Sequence, residues 1–285
     1  MVIKTKQAPS SNPVVHPTPN GSGQLEPDDD PFRYGWRTVA ETLPDGQIHY
    51  HDIPLTPEDY LDPQLGDYMV QSDPHLILVV SLYNRFKKKY HNDPTTGVFS
   101  DLKMFWDKPD LKEPAPDLAI VPKLKTKKAR RRSFNVRKEG TRPCLIVEVV
   151  SPDYPGDDTV KVKIYEQVGI TEYIIIDLHF ENETKPGTLT GYRLVDGVYQ
   201  PIQPDAQGQL LSETTGVQFG LDDSKRDVVL TNAVTGERLL DDEEEYEARL
   251  EEQQARLAAE ARAAAAEAEL ARVKALLATK NGKSE

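Results

Sequence analysis

The order of apolar and polar residues predicts alternating helices and strands in the middle of the chain. Apolar residues recur at helical spacing over residues 74–90, where one stripe holds Leu76, Val79, Val80, Tyr83, Phe86 and Tyr90. Short apolar runs predict strands at 98–106, 117–121, 133–136, 145–150 and 173–177. A second helix is predicted at 158–168, ended by Gly169. This alternation indicates an α/β fold, a mixed sheet flanked by helices.

The segments before and after this region differ from it in amino-acid composition. Residues 1–30 are rich in Pro, Ser, Asn and Gly and predict a disordered tail. We expect one domain over residues 31–240, with its core at 70–180 and a small β appendage at 187–240, where Asp196-Gly197 is a strong hairpin signal. Residues 241–285 form a charged, alanine-rich segment and a tail. Its heptad positions (Leu250, Leu257, Ala264 and Ala271) suit a single long helix or a coiled coil equally well.

Charge is distributed unevenly along the chain. The 285 residues carry a formal net charge of -12, yet residues 123–138 hold nine Lys and Arg side chains and no acid. Such a run could neutralise the phosphates of a nucleic acid. Its alternative is a solvated charged loop. The candidate nucleic-acid-binding residues are Lys125, Lys127, Lys128, Arg130, Arg131 and Arg132.

Several classes of protein are excluded by what the sequence lacks. Cys144 is the only cysteine, so an intrachain disulfide and a cysteine-based zinc site are not expected. No apolar run suits a membrane span or a signal peptide, which predicts a cytoplasmic protein with no membrane partner. Apart from His75, the histidines show no metal-ligand spacing along the sequence. A phosphate-binding glycine loop and a nucleophile elbow are missing, which argues against NTPases and serine hydrolases.

Two acids stand beside apolar runs where charge is unexpected. Glu148 lies inside the strand at 145–150, and a buried carboxylate is unfavourable unless a positive group answers it. Asp117 opens the strand at 117–121. Each has a plain structural alternative: Asp117 as the cap of a turn after Pro116, and Glu148 as one half of a buried salt bridge.

A lysine on the following helix can be selected from helix geometry. At about 100° per residue, Lys161 lies roughly 60° from the direction set by Val160, Ile164 and Val168, whereas Lys163 lies roughly 100° away. Lys161 is therefore expected to point toward the sheet. Lys163 is the reserve candidate.

Together these residues suit metal-dependent phosphodiester hydrolysis. Asp117 and Glu148 would bind Mg²⁺ or Mn²⁺ through carboxylate oxygens, and Lys161 would polarise the phosphate or orient the attacking water. Two further residues are accessory candidates. Asp157 is expected to be the N-cap of its helix, with a direct role as the alternative, and His75 is more often structural than functional at such a position.

A family resemblance rests on these same residues. Glu148-Val-Val-Ser-Pro152, then Asp157, Lys161 and Tyr165, then the run from Gly169 to Asp177, resemble the Uma2 family (DUF820) of restriction-endonuclease-like proteins in the PD-(D/E)xK nuclease superfamily. The resemblance extends over about residues 31–240 and includes Pro116-Asp117.

The resemblance implies a restriction-endonuclease-like mixed sheet, a metal-dependent endonuclease and DNA as its partner. Val150 stands where the superfamily pattern has a lysine, and the resemblance implies that Lys161 has taken over that role. The alternative is a catalytically inactive nuclease-fold scaffold that binds DNA or protein and assembles through the C-terminal helix. A homodimer could form through that helix or through the nuclease domain.

Overall fold

The computed structural model describes residues 30–151, 156–180, 182 and 184–281, with side chains described as far as residue 275. The predicted tail at 1–30 therefore lies outside the described residues except for Asp30. No helix in the described part of the chain is both long enough and apolar enough to cross a membrane.

Fourteen strands and four α-helices follow one another in the described residues. The strands are β1 (Gly35–Thr42), β2 (Ile48–Pro54), β3 (Tyr68–Met69), β4 (Gly97–Phe99), β5 (Met104–Phe105), β6 (Leu118–Val121), β7 (Phe134–Asn135), β8 (Leu145–Val149), β9 (Glu172–Asp177), β10 (Thr188–Val195), β11 (Val198–Pro201), β12 (Leu210–Ser212), β13 (Val217–Leu221) and β14 (Val228–Asn232). The helices are α1 (Asp73–Lys89), α2 (Val136–Glu139), α3 (Val160–Val168) and α4 (Asp242–Asn281), and Pro57–Leu61 forms a 3₁₀ helix.

A six-stranded mixed sheet forms the centre, in the order β11-β10-β9-β8-β6-β4. Strands β8 and β9 run parallel, as expected when the helix α3 connects them, and the other neighbours are antiparallel. The predicted α/β fold with a mixed sheet and flanking helices is confirmed.

Both faces of the central sheet are covered, which explains why β8 is apolar at nearly every position. On one face Val147 and Val149 pack with Leu82 and Phe86 of α1. On the other face Ile146 belongs to the cluster that contains residues of α3. Glu148 points to this second face, since side chains alternate along a strand. The sheet therefore carries its one β8 carboxylate toward α3.

The strands after residue 187 divide between two sheets. The hairpin of β10 and β11 extends the central sheet, with its turn at Asp196 (φ 51°) and Gly197 (φ 84°) as the Asp-Gly signal predicts. Strands β12, β13 and β14 form a separate three-stranded sheet. The appendage predicted at 187–240 is therefore limited to strands β12, β13 and β14, because β10 and β11 belong to the central sheet.

A hairpin near the start of the described chain had not been predicted. Strands β1 and β2 pair antiparallel, and Gly46 sits in their turn at φ 82°. The pair Asp45-Gly46 was the available signal. Strand β3 pairs with the other edge of β1, so the three strands form one sheet.

The apolar stripe predicted for the first helix is partly wrong. Leu76 and Val80 are 47% and 46% exposed, whereas His75 and Arg85 are buried. The helix turns these polar residues inward because each finds a partner there. The Arg85 guanidinium donates to the carbonyl of Val228 and to the carboxylate of Glu244.

Three other predicted boundaries differ from the structure. The strand expected at 98–106 is split into β4 and β5 by a turn in which Asp101 has a φ of 52°. The strand expected at 133–136 is limited to β7 (Phe134–Asn135), since α2 begins at Val136 and its N-cap Asn135 accepts a hydrogen bond from the backbone N–H of Lys138. The helix expected at 158–168 begins at Val160.

The long C-terminal helix α4 is attached to α1 through its first turn. Lys88 lies 2.9 Å from Asp242 and 3.1 Å from Glu245, and Arg85 lies 3.1 Å from Glu244. Further along, Leu250 and Leu257 are exposed. The predicted helix is present, and whether its heptad positions form a coiled coil stays a prediction.

Candidate active site

Asp117 and Glu148 occupy directly opposite positions on neighbouring strands. The last pair in the β6–β8 ladder at this end is Leu118 with Val147, so the next pair in register is Asp117 with Glu148. Residues opposite each other in an antiparallel pair point to the same face. The backbone N–H of Asp117 donates to Glu148 Oε2 over 3.3 Å, and the N–H of Val149 donates to Asp117 Oδ2 over 2.8 Å. Two acids distant in sequence are thus held side by side.

Lys161 joins these acids from the first turn of α3. Its ammonium lies 3.1 Å from Glu148 Oε2 and 2.7 Å from Asp157 Oδ1, and the residue is 6% exposed. Lys163 is exposed. The structure therefore places Lys161, rather than the reserve candidate, beside Glu148. Val160, which helped to set the expected inward direction, is itself 40% exposed.

Asp157 is not the N-cap that the sequence suggested. Thr159 holds that position, and the first amides of the helix, those of Val160 and Lys161, donate to the carbonyl of Gly156. The Asp157 carboxylate is buried and turns instead toward the Lys161 ammonium, one helical turn further on. Asp157 is thus a partner of the lysine.

Tyr165 is a site residue to which the sequence reasoning gave no role. Its hydroxyl donates to Glu148 Oε1 over 2.6 Å, and its ring is fully buried. The available signal was helical spacing, because Tyr165 lies four residues after Lys161 and so on the same face of α3. Glu148 consequently has a lysine on one carboxylate oxygen and a tyrosine on the other.

His75 supports the acids from the opposite helix, α1. Its Nε2 lies 3.2 Å from Asp117 Oδ2 and 3.1 Å from the carbonyl oxygen of Val149. A carbonyl oxygen is only an acceptor, and so is an ionised carboxylate, so Nε2 carries the proton and donates. The buried Nδ1 has no hydrogen-bond partner among the described residues. His75 thus fixes the orientation of Asp117.

Burial and charge move the pKa values of these groups in different directions. Burial raises the pKa of Glu148 to about 8, although Lys161 pulls it down. Burial also raises the pKa of Asp117, but the hydrogen bond and charge of His75 outweigh that, and the net pKa is lowered. For Lys161, burial is outweighed by the charges of Asp157 and Glu148, so its pKa is raised. Asp117 is the more acidic member of the pair.

A cavity of about 510 Å³ opens onto this cluster. Asp117, Asp157, Lys161 and His75 line it, and Glu148 lies behind them at 1% exposure. Residues 63–71, which include β3, also line it. The cavity is therefore lined both by the acidic cluster and by one strand of the small N-terminal sheet.

The basic run reaches the cavity through one residue, Arg132. Its side chain is exposed and makes no ion pair or hydrogen bond among the described residues. Two other members are used within the fold: Lys127 donates to the carbonyls of Tyr90 and Asp93, and Arg131 forms a double contact with Glu139. The remaining three candidates are exposed: Lys125, Lys128 and Arg130.

The donor set suits a hard divalent cation such as Mg²⁺ or Mn²⁺. Asp117 Oδ1 belongs to a cavity-lining residue and accepts no hydrogen bond from the described residues. Glu148 accepts three contacts, from Tyr165, Lys161 and the Asp117 amide, which leaves one of the roughly four lone-pair sites of a carboxylate. Oxygen ligands of this kind are the ones that these ions prefer.

The family of this chain follows from its similarity to known proteins. The Uma2 family model, described as "Putative restriction endonuclease", matches residues 59–228, which is more than half of the chain. The chain belongs to the Uma2 family. It is similar to the crystal structure of a "putative nuclease belonging to DUF820" from Anabaena variabilis ATCC 29413, at 14% identity over 62% of this chain and 83% of that one, with a TM-score of 0.39. No curated protein matches the chain.

Proposed function

We propose that this chain is a divalent-metal-dependent endonuclease that hydrolyses DNA phosphodiester bonds. The observation that carries the proposal is the cluster of Asp117, Glu148 and Lys161, in which Asp117 and Lys161 line one cavity and Glu148 lies directly behind them. Membership of the Uma2 family supports a nuclease-like activity of the same kind.

Asp117 and Glu148 would hold the Mg²⁺ or Mn²⁺ ion. When bound, the ion would neutralise charge on the phosphate and acidify a water molecule. Asp117 is ready to bind because its pKa is lowered and His75 fixes its carboxylate. Glu148 would contribute its remaining lone pair while Tyr165 keeps its carboxylate in place.

Lys161 would act on the substrate itself. Its raised pKa keeps the ammonium charged, and Asp157 and Glu148 hold it beside the cavity. From there it can stabilise the negative charge that develops on the phosphate oxygens. Arg132 would contact a flanking phosphate, since it is a cation on the cavity without an acidic partner among the described residues.

Plasmid nicking together with metal titration tests the proposal. Supercoiled plasmid is incubated with the full chain and Mg²⁺ or Mn²⁺, and metal binding is measured by calorimetry. We expect the wild type to bind metal and nick the plasmid, and Asp117→Asn and Glu148→Gln to lose both. Glu139→Gln is the matched control, because that glutamate pairs with Arg131 away from the cavity.

Two outcomes would overturn the assignment. Metal-dependent nicking that survives in Glu148→Gln would remove this residue from the active site. A wild type that binds no metal and leaves the plasmid intact would favour the non-catalytic scaffold. RNA of matched length, incubated under the same conditions, tests whether the substrate is DNA or RNA.

A further inference from the structure

Three metal-ligating side chains meet on the β1–β2 hairpin, away from the cavity. Glu41 lies directly opposite His49 in the antiparallel pair, and His51 follows two residues later on the same face. The ligand atoms of all three lie within 4.8 Å of one another. The two imidazole rings are nearly parallel, with centroids 5.8 Å apart.

We propose that Glu41, His49 and His51 bind a divalent transition-metal ion of the zinc type. Two imidazoles and one carboxylate form a ligand set that suits Zn²⁺, with water in the fourth position. Imidazole nitrogen favours such ions over Mg²⁺, which prefers oxygen ligands.

The geometry needs only a small adjustment to close around an ion. Four-coordinate zinc with bonds of about 2.0–2.1 Å spaces its ligand atoms about 3.3 Å apart. The three side chains make no hydrogen bond or ion pair among the described residues, so none must be broken first. Glu41 and His49 are exposed and His51 is half-buried, which leaves their side chains room to rotate.

This site is separate from the candidate active site. Trp36 pairs with Tyr68, which lines the cavity, and Glu41 lies five residues further along β1. At about 3.4 Å per residue, the separation along the strand is about 17 Å. A bound ion would join β1 to β2 near their turn.

Calorimetric titration of Zn²⁺ into the chelator-treated full chain tests the proposal. We expect the wild type to bind zinc at this site, and His49→Ala to bind it at least about tenfold more weakly. His91→Ala is the control, because His91 is also exposed. Asp117→Asn removes the other candidate metal site and should retain the zinc site. Excess Mg²⁺ should not displace the zinc.

A spectroscopic measurement makes the result independent of activity. Co²⁺ in place of Zn²⁺ should give the visible absorption of a four-coordinate site in the wild type and in Asp117→Asn, and lose it in His49→Ala and in Glu41→Gln. Zinc binding of wild-type strength in folded His49→Ala, or a wild type that binds no zinc, would overturn the proposal. Circular dichroism of each variant verifies folding.

Discussion

The Lys161 ammonium lies between two buried carboxylates, 3.1 Å from Glu148 Oε2 and 2.7 Å from Asp157 Oδ1. One positive charge therefore answers two acids that contact little or no solvent. A buried ion cluster of this kind contributes little net stability relative to apolar residues, but removing one partner is strongly destabilising. We infer that the cluster serves a function at the cavity, since it contributes little to the stability of the fold.

Replacing Lys161 should therefore affect both stability and activity. In Lys161→Met, Glu148 and Asp157 lose their cation, and we expect the free energy of unfolding to fall by about 3 kcal/mol. Plasmid nicking should be lost as well. Urea denaturation and the nicking assay measure the two effects.

Lys163→Met is the matched control for this prediction. Lys163 is exposed on the same helix, so its loss should change the free energy of unfolding by less than about 0.5 kcal/mol and leave nicking intact. Equal effects of the two substitutions would show that Lys161 has no special role.

The stability of the metal-free protein should fall as the pH rises from about 5 to 8. The pKa of Glu148 is raised to about 8 in the folded chain, so the folded state keeps a proton that the unfolded chain has already released. The pKa of His75 is also raised, and its contribution has the same sign because stability is lost as the pH rises through the folded pKa. One such group contributes up to about 1.4 kcal/mol per pH unit.

Urea denaturation in EDTA across this pH range measures the effect. Glu148→Gln removes one titrating group, so its stability should depend less on pH than that of the wild type. Glu139→Gln should keep the wild-type slope, because the pKa of Glu139 is lowered and the contribution of that residue changes only in acid. A slope unchanged by Glu148→Gln would contradict the assignment of the raised pKa.

Removing Arg132 should weaken DNA binding through the phosphate backbone. The assay is done in EDTA, where cleavage is prevented. Arg132→Ala should reduce the magnitude of the slope of log K against log salt by about 0.9, the value expected for the loss of one phosphate contact. Arg130→Ala is the control, since Arg130 is exposed but does not line the cavity. A larger change of slope for Arg130→Ala than for Arg132→Ala would show that the DNA contacts the protein away from the cavity.

Two truncations measure separately how much the first turn of α4 and the rest of that helix contribute to stability. Ending the chain after Leu240 removes the acids that pair with Arg85 and Lys88, and the buried Arg85 then lacks a carboxylate. We expect a loss of about 3 kcal/mol in the free energy of unfolding. Ending the chain after Glu245 should preserve most of the stability.

Light scattering on the second truncation examines the coiled-coil prediction. If α4 pairs two chains, the full chain should have twice the mass of its monomer, and the variant ending at Glu245 should have a single-chain mass. A full chain that is monomeric in solution would exclude the dimer. Equal assembly of both would place the contact in the part of the chain that ends at Glu245.

The sequence predicted those parts of the site that depend on local pattern. The carboxylate of Glu148 interrupts an apolar strand, Asp117 stands at the start of another, and helical periodicity turns Lys161 toward the sheet. Both signals arise within a few residues of the side chain concerned. Their placement in one cluster agrees with the expectation, while their role in catalysis stays a prediction.

The missed features depend on contacts between distant segments. Asp157 looked like an N-cap because the start of α3 could not be placed to within two residues, and its pairing with Lys161 requires a buried site. The buried position of Arg85 was not predicted, because its partners come from beyond residue 227. At the hairpin, the spacing of His49 and His51 along the sequence did not indicate a metal site, because Glu41 lies opposite His49 only once the two strands pair.

The register of β6 against β8 makes the acid pair sensitive to chain length in an unusual way. One residue inserted into β8 before Glu148 would turn this carboxylate to the face packed by α1, whereas two inserted residues would restore the face but displace it by about 7 Å. The segment between β6 and β8 includes the exposed residues 128–130, which belong to no helix or strand, so a change of length there leaves the register of β8 unchanged. Insertions and deletions should therefore be tolerated in that short stretch and excluded from the five residues of β8.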